Sequence, residues 1–230
     1  MDHIPPLNVI AHIESQFPTK FGIPRQSGLV EELRANIVFT EEYRVPEAVR
    51  GLQDFSHLWI IWQFSGAVRE GWSPTVRPPR LGGNTRMGVF ATRSPFRPNE
   101  LGLSCVKIIS VTEHTDRGPI ITVAGADLMD GTPIFDIKPY IPYADCHPEA
   151  TGGFTDQAGD FLLTVNFPEE LLRRVPAEHR EALTATLTHD PRPSYQNAPD
   201  RIYGMAFGGM DVKFQVQENI LTVVDVTPNP

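Results

Sequence analysis

Along the first 140 residues, hydrophobic and polar positions alternate in short runs that predict strands. Asn8 to Glu14 (NVIAHIE) alternates well enough for a first strand, and Ala35 to Thr40 (ANIVFT) gives a second. Ser56 to Phe64 (SHLWIIWQF) has the β-branched and aromatic content of a strand buried on both faces. Leu103 to Thr112 and Pro119 to Ala124 flank a His-Thr-Asp-Arg-Gly turn and predict a hairpin with a longer loop. Leu128 to Pro133 (LMDGTP) reads as a tight turn, followed by a strand at Ile134 to Pro139. Pro46 to Leu52, with proline in its first turn, predicts a short helix. Many short strands with hardly a helix predict a mainly β fold built on an N-terminal β-barrel, closed or nearly so. No strand–glycine loop–helix unit is present, so a doubly wound Rossmann fold is not expected.

Past Tyr140 the pattern changes. DCHPEATGGFTDQAGD is polar and rich in small residues, as a linker would be. Apolar residues near helical spacing then predict helices over 168–174 and 177–188. Ile202 to Phe207, Val212 to Val216 and Ile220 to Val226 read as strands of an antiparallel sheet. The chain is therefore expected to divide into a barrel domain at 1–145 and a small α+β domain at 146–230.

Composition adds limits. Twenty-two prolines in 230 residues favour loops and short strands over a helical bundle. The densest apolar run, WIIWQF, is far too short to span a membrane, and the N-terminus has no secretory pattern, so a cytoplasmic protein is expected. Cys105 and Cys146 follow no metal or redox spacing; Cys105 reads as a buried thiol, and no metal is expected.

The formal net charge of −8 argues against indiscriminate nucleic-acid binding. That charge is unevenly spread, with 12 acids against 6 bases from His147 onward. Between Val76 and Val106 (VRPPRLGGNTRMGVFATRSPFRPNELGLSCV), Arg77, Arg80, Arg86, Arg93 and Arg97 face one acid, Glu100, with Lys107 just beyond. Glycines and prolines thread the same stretch, allowing close backbone approach and fixing the loops. Arginine's planar, permanent charge suits phosphates and carboxylates. Such a stretch reads as a surface for an anionic partner, on rigid loops around two short strands. From composition alone, arginines packing internally against carboxylates are an equally good account.

Smaller motifs carry less. Pro24-Arg25-Gln26 in the first loop is weak alone, and His57 is better read as a satisfied core histidine than as a base. Asp127 and Asp130 bracket a turn that Asp and Gly favour unaided, and such a turn need not exclude a ligand site, since it exposes backbone donors. Asp190-Pro191-Arg192-Pro193-Ser194-Tyr195 looks superficially like the Asp-Pro-Pro-Tyr signature of Rossmann-type adenine methyltransferases. It follows a helix and carries an inserted arginine, which excludes that reading.

FPTKFGIPRQSGLV, VRGLQDFSHLWII, RPPRLGGNTRMGVFATRSPFRPNELGLS, DLMDGTPIFDIKPYIPYAD and DPRPSY, in that order, resemble the TrmO (TsaA-like) family of tRNA methyltransferases. The resemblance implies a β-barrel that binds S-adenosylmethionine, a homodimer, and N6-methylation of N6-threonylcarbamoyladenosine at position 37 of threonine tRNA. By position it implies a cofactor site of Pro24, Arg25, Gln26, Ser65, Gly66, Arg93, Ser94, Leu103, Ser104, Met129, Asp130, Gly131 and Thr132. Ser65 stands where some members carry histidine, and Glu100 where proline is frequent. Asp130 is the carboxylate to test as proton acceptor. Arg25, Arg86, Arg97 and Asn99 are candidates for tRNA phosphates or the threonyl carboxylate. Arg192 and Tyr195 offer a phosphate contact and a stacking face, with a structural turn as the competing account. Two other readings stay in play: a non-catalytic RNA-binding module, and a barrel methyltransferase acting on something other than tRNA.

Overall fold

A computed structural model describes residues 6–67, 71–78, 81, 85–157, 162–192, 198 and 200–229. Its first part holds β1 (Ala11–Glu14), β2 (Arg34–Phe39), β3 (His57–Gln63), β4 (Thr75–Val76), β5 (Met87–Gly88), β6 (Leu101–His114), β7 (Gly118–Ala124) and β8 (Pro133–Pro139). Six of these close a barrel in the order β1-β2-β7-β6-β3-β8. All six pairings are antiparallel. Ile13, Ile37, Leu58, Ile60, Ile121 and Ile134 fill the interior, so the barrel is a packed core and not a channel. The two-stranded β4–β5 hairpin stands apart and carries the first half of the arginine stretch.

After the barrel come α1 (Pro142–Asp145), β9 (Thr164–Asn166), α2 (Glu169–Leu172), α3 (Ala177–Thr188), β10 (Ile202–Phe207), β11 (Met210–Gln217) and β12 (Ile220–Pro228). The second sheet runs β10-β11-β12-β9, with β9 parallel to β12. The mainly β architecture, the barrel and the C-terminal mixed unit are as expected.

Several details differ. β3 buries Leu58, Ile60 and Trp62 but leaves His57, Trp59, Ile61 and Gln63 half-buried, so only one face is core. Trp59 is instead covered by Tyr140, with ring centroids 5.9 Å apart. β6 starts two residues earlier and ends two later than predicted, and it bends at a bulge between Ile108 and Ser110. Pro46–Val49 is a 3₁₀ turn. β9 escaped the sequence reading because three residues cannot display a period. Cys105 is half-buried, and burial pushes its thiol pKa up, with Asp145 adding to the effect.

The loop between β1 and β2 ties the two units together. Phe17, Val30 and Leu33 lie in the same buried cluster as Leu183, Leu187, Phe207 and Phe214, not among the barrel residues. Phe17 meets Phe207 edge-on at 5.3 Å, and the Gly208 N–H donates to the Gln16 carbonyl at 2.8 Å. Gly22 has φ +90°, and a Cβ there would fall 2.1 Å from the Met205 sulfur. This loop is held from the side of the C-terminal sheet.

Candidate active site

The anchored loop delivers Pro24, Arg25 and Gln26 to the rim of the barrel. Downstream it is stapled again: the Gly28 N–H donates to the Gly125 carbonyl at 2.9 Å, and the Ser27 hydroxyl accepts the Cys105 N–H at 3.2 Å. Opposite it, residues 92–97 fold on themselves. Thr92 Oγ1 donates to the Val89 carbonyl, the Ser94 N–H donates to Thr92 Oγ1, and the Arg97 guanidinium donates to the Thr92 carbonyl. Arg93 then reaches across to Gln26 Oε1 at 2.5 Å, joining the two loops.

Between them opens a cleft of about 880 Å³, of the size that holds a cofactor. Phe64, Leu101, Leu103 and Met129 supply apolar wall, while Arg25, Arg93 and Arg97 supply positive charge. Trp62 closes the inner end and is 7% exposed. It lies flat against β6 because its register partner is Gly102, where a Cβ would fall 2.3 Å from the indole ring.

Of the expected cofactor residues, Pro24, Arg25, Gln26, Ser65, Gly66, Arg93, Leu103, Met129 and Thr132 line this cleft. Ser94 lines the adjoining groove. Ser104 is buried one layer behind. Asp130 and Gly131 form the supporting turn, where the Asp130 N–H donates to the Phe17 carbonyl at 2.8 Å and the Gly131 N–H to Ile13 at 2.9 Å. Asp130 Oδ1 accepts the Ser15 N–H at 2.9 Å, so its carboxylate is engaged in holding the loop. His57 lies outside the cleft, with its ring near Tyr140.

Asp127, read from sequence first as a turn former, is the carboxylate among the described residues that line the cleft. It accepts the Ser104 hydroxyl at 2.6 Å, and Ser104 accepts the Trp62 indole N–H at 2.9 Å. Burial pushes the Asp127 carboxyl pKa up; hydrogen bonds from Ser104, its own N–H and Ser27, and the charge of Arg93, pull against that.

A second groove, about 1710 Å³, continues from the cleft and shares Arg25, Gln26, Phe90, Thr92, Arg93 and Pro95 with it. Arg77, Arg86 and Arg192 also line it, while Arg97 and Asn99 belong to the cleft. Arg192 is held bidentately by Asp190, at 2.8 and 3.0 Å, and its side chain is only 10% exposed. Tyr195 and Arg80 lie outside the described residues. Among the described residues, no group of three or more His, Cys, Asp or Glu side chains could hold a metal ion, and no helix is long and apolar enough to cross a membrane.

A barrel with a rim cleft of cofactor size, opening into an arginine-lined groove, defines a non-Rossmann barrel of the cofactor-binding class, with a groove suited to anionic groups. Sequence comparison makes the class particular. The family model of the tRNA-methyltransferase O N-terminal domain matches residues 12–146, and that of the TrmO C-terminal domain matches 161–229. The chain belongs to the TrmO family. It is 39% identical over 227 residues to the tRNA (adenine(37)-N6)-methyltransferase of Escherichia coli (strain K12), covering 95% of this chain and 96% of that one. It is 38% identical over 227 residues to the Pseudomonas aeruginosa protein named "Putative S-adenosylmethionine-dependent methyltransferase RcsF", covering 94% and 95%. The crystal structure of TrmO from Pseudomonas aeruginosa matches with a TM-score of 0.78 at 30% identity, covering 98% of this chain and all of that one.

Proposed function

We propose that this protein is an S-adenosylmethionine-dependent tRNA (adenine(37)-N6)-methyltransferase, and that its acceptor is N6-threonylcarbamoyladenosine in threonine tRNA. The observation that carries the reading is the continuity of the cleft with the arginine groove. A cofactor-sized pocket and a polyanion track meet at Arg25, Gln26 and Arg93. Family membership and the names of full-length relatives support the same activity.

The cleft residues fit the cofactor. Arg25 and Arg93 would hold its carboxylate, the apolar wall its nucleoside, and the mostly buried Asp127 is an anion suited to a cationic molecule. Bound S-adenosylmethionine supplies an electrophilic methyl group. The chain's own part is then to align the acceptor with it, which can supply much of the rate. N6 loses a proton as the new N–C bond forms, and acylation makes that proton more acidic than in plain adenosine. Asp127 Oδ takes it. Ser104, oriented by Trp62, stabilises the ionised carboxylate. Asp130 supports the geometry of the Ser15–Phe17 entry to the cofactor loop and is the alternative acceptor. Arg97 and Asn99 hold the threonyl carboxylate, and Arg86 holds phosphate. A homodimer and a cytoplasmic setting complete the proposal.

The test is transfer of labelled methyl to threonine tRNA prepared with and without its threonylcarbamoyl group, with the product nucleoside identified by mass. Methylation of only the modified tRNA at adenosine-37 is expected. Transfer to the unmodified tRNA would remove the prerequisite; no transfer to either would overturn the activity.

A further inference from the structure

Trp72 and Phe90 stack on one another at 6.2 Å with 28° between ring planes, yet they are 52% and 71% exposed. Single exposed aromatics are ordinary, but a stacked pair left open to solvent gives up apolar burial that the fold could have used. The pair is also firmly built. Phe90 follows β5, whose pairing with β4 fixes one side, and the neighbouring Val89 is buried, with its N–H donating to the Pro74 carbonyl at 3.0 Å. On the other side the Ser73 hydroxyl donates to the Thr75 carbonyl at 2.7 Å.

Its position and surroundings point to a ligand class. Phe90 lines both the cleft and the groove, and Trp72 lines the groove. The described residues lining that groove include Arg25, Arg77, Arg86 and Arg93, beside an Arg192 that Asp190 already pairs, and no aspartate or glutamate, in a chain of net charge −8. Flat aromatic faces beside a track of guanidinium groups are what single-stranded RNA takes: bases stack, phosphates pair. A second copy meeting the same face about a two-fold axis would bring arginine against arginine.

We infer that the Trp72–Phe90 pair is a stacking platform for an unpaired base next to the reacting adenosine of the anticodon loop. The inference rests on the methyltransferase reading above. It adds the way in which the loop is held open, since the reacting base can enter the cleft only after leaving the stack of its neighbours.

The test uses the full-length protein with threonylcarbamoylated threonine tRNA and with its isolated anticodon stem-loop. Trp72 is the exposed tryptophan of the three, so stem-loop binding should quench its fluorescence, and a blunt duplex without a loop should not. Trp72→Ala and Phe90→Ala should each raise KM for tRNA roughly ten-fold, and Trp72→Ala, at a position outside the cleft, should leave S-adenosylmethionine affinity, read by calorimetry, unchanged. Trp72→Phe should restore most of the loss in KM while abolishing the quench. If wild-type enzyme methylates the tRNA and both alanine variants keep its KM, the platform is overturned and the activity stands. Conversion of a dimer to monomer by Trp72→Ala, with stem-loop affinity retained, would also overturn it and assign the pair to a subunit contact. Absence of transfer by wild type would strike the activity itself; the quench and its loss in Trp72→Phe would still report whether RNA stacks there.

Discussion

The Ser104 hydroxyl donates to Asp127 across the barrel rim at 2.6 Å, and its direction is fixed from behind. The Trp62 indole has only a hydrogen to give and gives it to Ser104, so the proton on Ser104 must point at the carboxylate. Asp127 must be ionised to accept a proton. Because burial raises its pKa above the ordinary 3.8, the acid limb of the kcat profile should lie above that of a solvent-exposed carboxylate. Asp127→Asn should lower kcat by about 10²-fold or more, with the remaining activity losing that limb. An unchanged acid limb in this variant would return the proton-acceptor role to Asp130 or to solvent.

The same shift has a stability consequence. A carboxyl whose folded pKa is raised holds its proton more tightly in the folded state. It therefore favours folding below its unfolded pKa and loses that contribution as pH rises through the folded value. Asp127→Asn, which keeps the shape and the Ser104 hydrogen bond, should gain stability relative to wild type at neutral pH and match it more closely near pH 3. Denaturant melts at the two pH values measure the difference.

Gly22 and Met205 predict a long-range effect on the cofactor site. Gly22→Ala would place a methyl group within 2.1 Å of the Met205 sulfur and strain a backbone at φ +90°. The loop carrying Arg25 and Gln26 should then shift, weakening S-adenosylmethionine binding several-fold in calorimetry. Met205→Ala combined with Gly22→Ala should recover part of the loss, because the steric half of the problem is removed. No recovery would mean that backbone strain alone is responsible.

Gly102→Ala should act locally. The added methyl would collide with the Trp62 ring at 2.3 Å, and a ring packed against backbone has nowhere to go. Overpacking of this kind costs about 1–3 kcal/mol in chemical denaturation. Trp62 tilting would also break its bond to Ser104, so activity should fall further than stability does.

Arg86 and Arg192 separate RNA contact from structural pairing. Arg192 donates to both oxygens of Asp190 through Nε and Nη2 and is mostly buried, so Arg192→Ala should cost about 2 kcal/mol of stability. Its effect on the salt dependence of tRNA binding should be small. Arg86, exposed and linked only to Thr75 Oγ1 at 3.4 Å among its described contacts, should do the reverse: Arg86→Ala leaves stability unchanged and lowers the salt slope by about one.

Much of this was legible in the sequence for identifiable reasons. Barrel strands such as β1 and β2 announce themselves because one face is buried, which forces alternation. The Pro24–Gln26 loop and the Met129–Thr132 turn, whose Pro24, Arg25, Gln26, Met129 and Thr132 line the cleft, are singled out through motif resemblance, since their local composition would suit any turn. Asp127 reads chiefly as a turn residue because Asp close to Asp130-Gly131 has the same composition whether it faces solvent or a cleft; only the partnership with Ser104, 23 positions away, tells them apart. Trp72 and Phe90 were missed for a similar reason. Exposure of an aromatic residue depends on what the rest of the chain fails to cover, and no periodicity records that. Asp190 with Arg192 was half legible: the turn reading and the phosphate reading use the same residues, and the bidentate pair is what supports the turn.

The shared cluster of Phe17, Val30 and Leu33 with the C-terminal sheet means that the covalent link between the two units carries little of their association. A cut in the polar stretch after Cys146 should leave the two fragments bound together and the cofactor loop in place, whereas deleting residues 161–229 should leave that loop without its floor. This is a molecule in which the later-synthesised half completes the earlier one. The first loop settles over the barrel mouth only against Met205, Phe207 and Gly208, which lie far later in the chain.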